Sequence, residues 1–92
     1  MSELNTMGYR ICLTSFSFPE QYDVFDKDNN KVGYFRLRHS EFNAECVLGK
    51  NECVYYTLTQ DSGCFIDSKE RHFHITNAIK SLDIYIKEFL TN

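Results

Sequence analysis

The chain has 92 residues, with ten Lys and Arg against thirteen Asp and Glu and a formal charge of −3. That length allows one domain and excludes a catalytic barrel, a two-lobed enzyme or a dinucleotide fold of normal size. The acidic balance argues against a general nucleic-acid binder, which needs a basic face to displace counterions from phosphates. Hydrophobic residues make up 42% of the chain, with eight Phe and six Tyr, enough for one core.

Residues 1–7 hold few apolar side chains and no periodicity, and read as a flexible terminus. Residues 8–92 then form a single α+β domain. Tyr9, Ile11 and Leu13 alternate with Arg10, Cys12 and Thr14, the pattern of a half-buried strand. Pro19, the only proline, separates it from the next strand. QYDVFD, the polar DKDNNK turn and KVGYFRLRH form the clearest hairpin signal in the chain. Phe42, Ala44 and Cys46 mark a fourth strand, and the stretch from Cys53 to Leu58 a fifth.

Asp67 followed by Glu70 reads as a capping box, opening one helix that runs to about Leu90. Ile75, Ala78, Ile79, Leu82, Ile86, Phe89 and Leu90 share one face of that helix at 100° per residue. The expected architecture is an antiparallel sheet of four to five strands packed on one long C-terminal helix.

No signal-peptide pattern opens the chain, and no apolar stretch approaches the ~20 residues of a membrane helix. The four cysteines, Cys12, Cys46, Cys53 and Cys64, contain no C-x-x-C. These features predict a cytoplasmic protein with reduced, mostly buried thiols and neither metal nor cofactor.

The string from Tyr22 to Phe42, with Cys64-Phe65 and Glu70-Arg71, resembles small uncharacterised bacterial and phage-borne proteins. These are built around a Y-x-V-x-D turn and a V-G-Y-x-R-L-R strand. The resemblance implies the hairpin fold and carries no established activity.

Pairing Asp26 with Lys31 across the turn puts Tyr22, Val24, Phe35 and Leu37 on one face of the hairpin. Gln21, Asp23, Tyr34, Arg36 and Arg38 share the other. Two guanidinium forks beside an aromatic ring can hold a nucleotide-like anion or an acidic protein surface, so Asp23, Tyr34, Arg36 and Arg38 are the candidate ligand residues. The plainer reading pairs Arg36 with Asp23, and Arg38 with Glu20 or Glu41, as ordinary cross-strand ion pairs.

Three other patterns fall short of a site. Asp26, Asp28 and Asn30 match the start of a calcium loop, but Lys31 stands where glycine is needed and Leu37 where a bidentate Glu is needed. His72 and His74 lie about 200° apart on a helix and cannot ligate one ion together, although an extended segment would bring both towards Cys64 or Cys46. Cys64, ahead of the helix cap, would be the nucleophile of a small cysteine enzyme with His72 or His39 as base, but no family-type signature surrounds it.

On the helix, Phe73 and Ile84 lie nearly in line, eleven residues apart and off the main apolar face. They are the candidate interface residues of a homodimer, an arrangement that suits so small a core. The primary expectation is therefore a non-enzymatic binding module, in a phage-borne setting an inhibitor or signal-sequestering accessory protein. The alternative is a structural or regulatory interaction module acting through the helix.

Overall fold

The computed structural model describes residues 3–16, 19–60 and 63–90, apart from the side chains at positions 3 and 90. Six antiparallel strands follow one another in sequence order across one open sheet: β1 (Glu3–Thr6), β2 (Tyr9–Ser15), β3 (Glu20–Phe25), β4 (Lys31–Arg38), β5 (Glu41–Cys46) and β6 (Glu52–Leu58). Helix α1 (Ser68–Tyr85) packs across one face and continues into a π-helical turn, Ile86–Leu90. The fold is thus α+β, with one strand more than the periodicity showed.

The extra strand is β1, inside the segment that reads as a flexible terminus. Leu4 is its only large apolar residue, too little for a period-two signal. Its partner is specified instead by the two-residue turn Met7-Gly8, with φ of 55° and 85°, which pairs Thr6 with Tyr9. Two successive positive φ angles give the backbone twist that tight hairpins require.

Register in the central hairpin follows the alternation. Asp23 pairs with Tyr34 and Tyr22 with Phe35, while a bulge at Val32 shifts Phe25 onto Lys31. The acidic turn is held by Asp26, whose carboxylate accepts the N–H groups of Asp28 and Asn30, each at 2.9 Å. The Asn30 N–H foremost, aided by that of Asp28, holds the Asp26 pKa below its usual value.

The helix begins as the capping box predicts. Asp67 accepts the Glu70 N–H at 2.8 Å, and the Glu70 carboxylate reaches back to the Ile66 N–H at 2.8 Å. Ile75, Ala78, Ile79 and Leu82 are buried against Ile11, Val24, Phe35 and Phe42 of the sheet. Gly33 lets the two layers meet, since a Cβ there would lie 2.9 Å from Leu82 Cδ2. Phe89 departs from expectation: it is 66% exposed, because the wider π-helical turn rotates it off the face that a 3.6-residue period assigns it.

The four thiols are free, and Cys46 alone is buried; Cys53 is exposed, so "mostly buried" fails for this set. Cys53 escapes the core because β6 is an edge strand, with β5 its one partner among the described residues.

Sheet and helix are also joined by a buried polar contact, the Tyr9 hydroxyl donating to Asp83 at 2.7 Å, with Lys87 3.1 Å from the same carboxylate. Burial pushes the Asp83 pKa up, but the Tyr9 and Lys87 hydrogen bonds outweigh it and hold the group below its ordinary value. A depressed folded-state pKa stabilises the fold above the unfolded value of about 3.9 and is lost as pH falls through the folded value. Tyr9→Phe should therefore lose about 1–3 kcal/mol at neutral pH. Urea unfolding at neutral pH and near pH ~3 should show that gap shrinking in acid; a gap that persists unchanged would refute the assignment.

Candidate functional site

The face of the sheet away from α1 is built by the same alternation that buries Phe35 and Leu37. It carries Tyr34, Arg36 and Arg38 of β4, and the registers set a row Gln21–Arg36–Asn43–Tyr56 across four strands. Asp23, Tyr34 and Glu45 form a second row, and Arg38, Glu41 and Leu58 a third.

The four expected ligand residues separate into two groups. Asp23 pairs with Lys31 at 3.1 Å, and the Lys31 ammonium also lies 5.5 Å from the centre of the Tyr34 ring. Lys31 thus occupies both partners that were read as available. Arg36 and Arg38 remain together, and among the described residues neither makes an ion pair. They border a cleft of about 170 Å³ completed by His39, Glu41 and Asn43. The cross-strand ion pairs Arg36–Asp23, Arg38–Glu20 and Arg38–Glu41 are not formed.

Two features of this cleft carry physical cost. His39 and Ser40 make the two-residue turn between β4 and β5 with φ of 55° and 63°, a left-handed conformation uncommon for residues other than glycine. Asn43 Oδ1 is buried without a hydrogen-bond partner among the described residues, an arrangement worth about 1–3 kcal/mol against the fold. Tyr56, beside Asn43, is 52% exposed and is the open aromatic ring of this face. Partial loss of water and then the neighbouring Glu41 carboxylate hold its hydroxyl pKa above the ordinary value.

Asn43 and Tyr56 were not singled out from the sequence, and His39 only as a base for Cys64, which lies elsewhere in the fold. The tight turn is the signal that would have found them: once Arg38 is paired with Glu41, period-two register sets Asn43 beside Arg36 and Tyr56 beyond it.

The opposite face holds a larger cavity of about 390 Å³ between β1–β2 and the start of α1, with Ile11, Leu13, Phe16 and Tyr22 among its walls. Arg71 borders it but is committed to Glu20, at 2.7 Å and 3.2 Å, and Glu20 also accepts from the Tyr22 hydroxyl and the Phe65 N–H. Burial first, then the hydrogen bond to Glu20, pushes the Tyr22 hydroxyl pKa up.

The histidines do not converge. His72 is exposed, whereas His74 joins Tyr55 through its Nδ1 at 2.9 Å and stacks on Phe65. Cys64 is half-buried. Among the described residues no group of three or more His, Cys, Asp or Glu could hold a metal ion. Nor is any described helix long and apolar enough to cross a membrane. Phe73 and Ile84 are both exposed, at 60% and 54%.

Compared with known proteins, the chain matches no family model, no curated protein and no solved structure. What is defined at this point is a class of architecture, a small α+β domain with one open sheet face.

Proposed function

We propose that the protein is a non-enzymatic binding module that captures a small organic anion in the Arg36–Arg38 cleft. The observation that carries this reading is that two neighbouring guanidinium groups, unpaired among the described residues, border one concavity. Guanidinium forks bind carboxylate and phosphate oxygens through paired N–H donors.

The cleft is smaller than the ~300 Å³ at which sites for whole drug-sized ligands begin. It suits a single anionic group, with the body of the ligand lying over the sheet. Tyr56 is the ring such a body would meet, because Tyr34 already carries Lys31. Two arginines against Glu41 leave one positive charge in excess, which favours a monoanion such as a nucleoside phosphodiester. The resemblance of residues 22–42 to phage-borne proteins would make such a module an inhibitor or signal-sequestering accessory protein.

Calorimetric titration with cyclic 3′,5′-nucleotides, nucleoside 5′-monophosphates and a glutamate-rich peptide tests the reading. A nucleotide should bind the wild type. Arg36→Ala with Arg38→Ala should weaken it by about 10- to 100-fold, the loss of one or two charge-assisted hydrogen bonds. The unfolding midpoint should hardly move, since both side chains lie outside the core. Silence across the whole panel, or equal binding by the double variant, would end the proposal. Binding of the peptide alone would transfer the cleft to an acidic protein partner.

A further inference from the structure

We infer that the cavity between β1–β2 and the start of α1 is a second binding site, for an uncharged, mainly apolar molecule carrying one carbonyl group. It lies on the opposite side of the sheet from the Arg36–Arg38 cleft and does not depend on it.

Its walls follow from register. Leu4 pairs with Ile11 and Leu13 with Tyr22, so the alternation of the strands sets all four on the helix side of the sheet. Helix α1 lies closest to β5 and β6, at the far end of that sheet, and only its first turns reach towards β1 and β2. Leu4, Ile11, Leu13, Phe16 and Tyr22 therefore enclose about 390 Å³ instead of closing on a helix. That volume falls within the ~300–1,000 Å³ of small-molecule sites. Ile11 and Tyr22 are its buried inner wall, while Leu4 and Phe16, 38% and 65% exposed, stand at the rim. An apolar body seated there removes both rim side chains from water.

The helix supplies one polar end, through Ser68, Arg71 and His72. Arg71 is fixed in place: its Nε and Nη2 donate to Glu20 at 2.7 Å and 3.2 Å. Its guanidinium carbon lies 5.9 Å from the centre of the Phe16 ring and 6.0 Å from that of Phe65. Glu20 is fully buried and also accepts from the Tyr22 hydroxyl and the Phe65 N–H, so it holds the guanidinium without needing a ligand. The bonds to Glu20 use two of the five guanidinium N–H groups. The Nη1 pair makes no hydrogen bond among the described residues. A donor pair held rigidly beside an apolar cavity is the combination that orients a small ligand.

Charge then selects the ligand. Arg71 and Glu20 cancel each other, so a carboxylate in the cavity would add an uncompensated negative charge close to a buried one. An ammonium group would face the guanidinium. A carbonyl oxygen accepts from Nη1 and brings no charge, while the alkyl or aryl body lies against Leu4, Ile11 and Leu13.

Octanamide, octanoate and octylammonium share one chain length and differ in the charge of the head group. Each is titrated at about pH 8, where imidazoles are neutral, into isotope-labelled protein followed by amide NMR spectra. Octanamide should bind saturably and shift the amides of Ile11, Leu13, Phe16 and Arg71 more than those of Arg36 and Arg38. Both charged analogues should bind at least about 10-fold more weakly. Leu4→Trp, which fills the cavity from its rim, should weaken octanamide binding by about 10-fold or more. Phe16→Ala removes an exposed wall ring, leaves the core intact and should weaken binding by about 3- to 10-fold. Circular dichroism checks both folds, and the Phe16 variant decides alone if the tryptophan is not accommodated. Absence of saturable octanamide binding, shifts centred elsewhere, a charged analogue that binds as tightly, or unchanged affinity in Phe16→Ala would each overturn the inference.

Discussion

Replacing Arg71 by Met is expected to destabilise the protein by about 3–5 kcal/mol, the usual consequence of stranding one member of a buried ion pair. Glu20 is fully buried, and its carboxylate is held by the Arg71 guanidinium, the Tyr22 hydroxyl and the Phe65 N–H. Without Arg71 the carboxylate keeps its desolvation and loses its counter-charge. Small domains have about 5–15 kcal/mol in total, so the variant should be partly unfolded at room temperature or melt many degrees earlier.

The companion experiment replaces both partners, Glu20→Leu with Arg71→Met, and should recover part of the loss, because the stranded charge is gone while the Tyr22 hydroxyl and the Phe65 N–H lose their acceptor. Urea unfolding of the four species in a double-mutant cycle measures this directly. If Arg71→Met costs less than about 1 kcal/mol, the pair behaves as a surface ion pair and its burial has no energetic weight.

Phe42→Ala should cost a similar amount, about 3–5 kcal/mol, for an unrelated reason. The Phe42 ring is fully buried, and it meets Phe35 at 5.9 Å, Tyr55 at 6.0 Å and Phe65 at 5.1 Å between ring centres, all edge-on. His74 lies 6.2 Å away. Truncation opens a cavity where β4, β5, β6 and the loop before α1 meet, and those four cannot all close in on it. Phe73→Ala is the matched control: the same side chain, 60% exposed, should change monomer stability by no more than about 0.5 kcal/mol. Equal losses in the two variants would mean that ring burial does not set the cost.

These two variants also separate what was legible from what was not. Phe42 could be read as a core residue, because Phe42, Ala44 and Cys46 alternate with Asn43 and Glu45, and all three are buried. The importance of Arg71 could not. Its partner lies 51 residues away, and nothing local to either residue announces the pair.

The candidate cleft divides in the same way. Arg36 and Arg38 were legible as a same-face pair from the period of two. Asp23 and Tyr34 were assigned to them on the same ground, but the bulge at Val32 brings Lys31 within reach of both. Asn43, Tyr56 and the exposed turn residue His39 depend on the β4–β5 register, which the turn residues His39-Ser40 disguise because their composition is not that of a typical tight hairpin.

Periodicity was enough to place five of the six strands and the helix, the apolar face of each, and the start of the helix. Those properties repeat every two or 3.6 residues and need only neighbouring side chains. The tertiary structure alone decided that residues 3–6 join the sheet, that Glu20 meets Arg71 and Tyr9 meets Asp83, and that Lys31 rather than Arg36 takes Asp23. Each of these depends on register, bulges and the placement of the helix across the sheet, which are set by the packing of the whole chain at once.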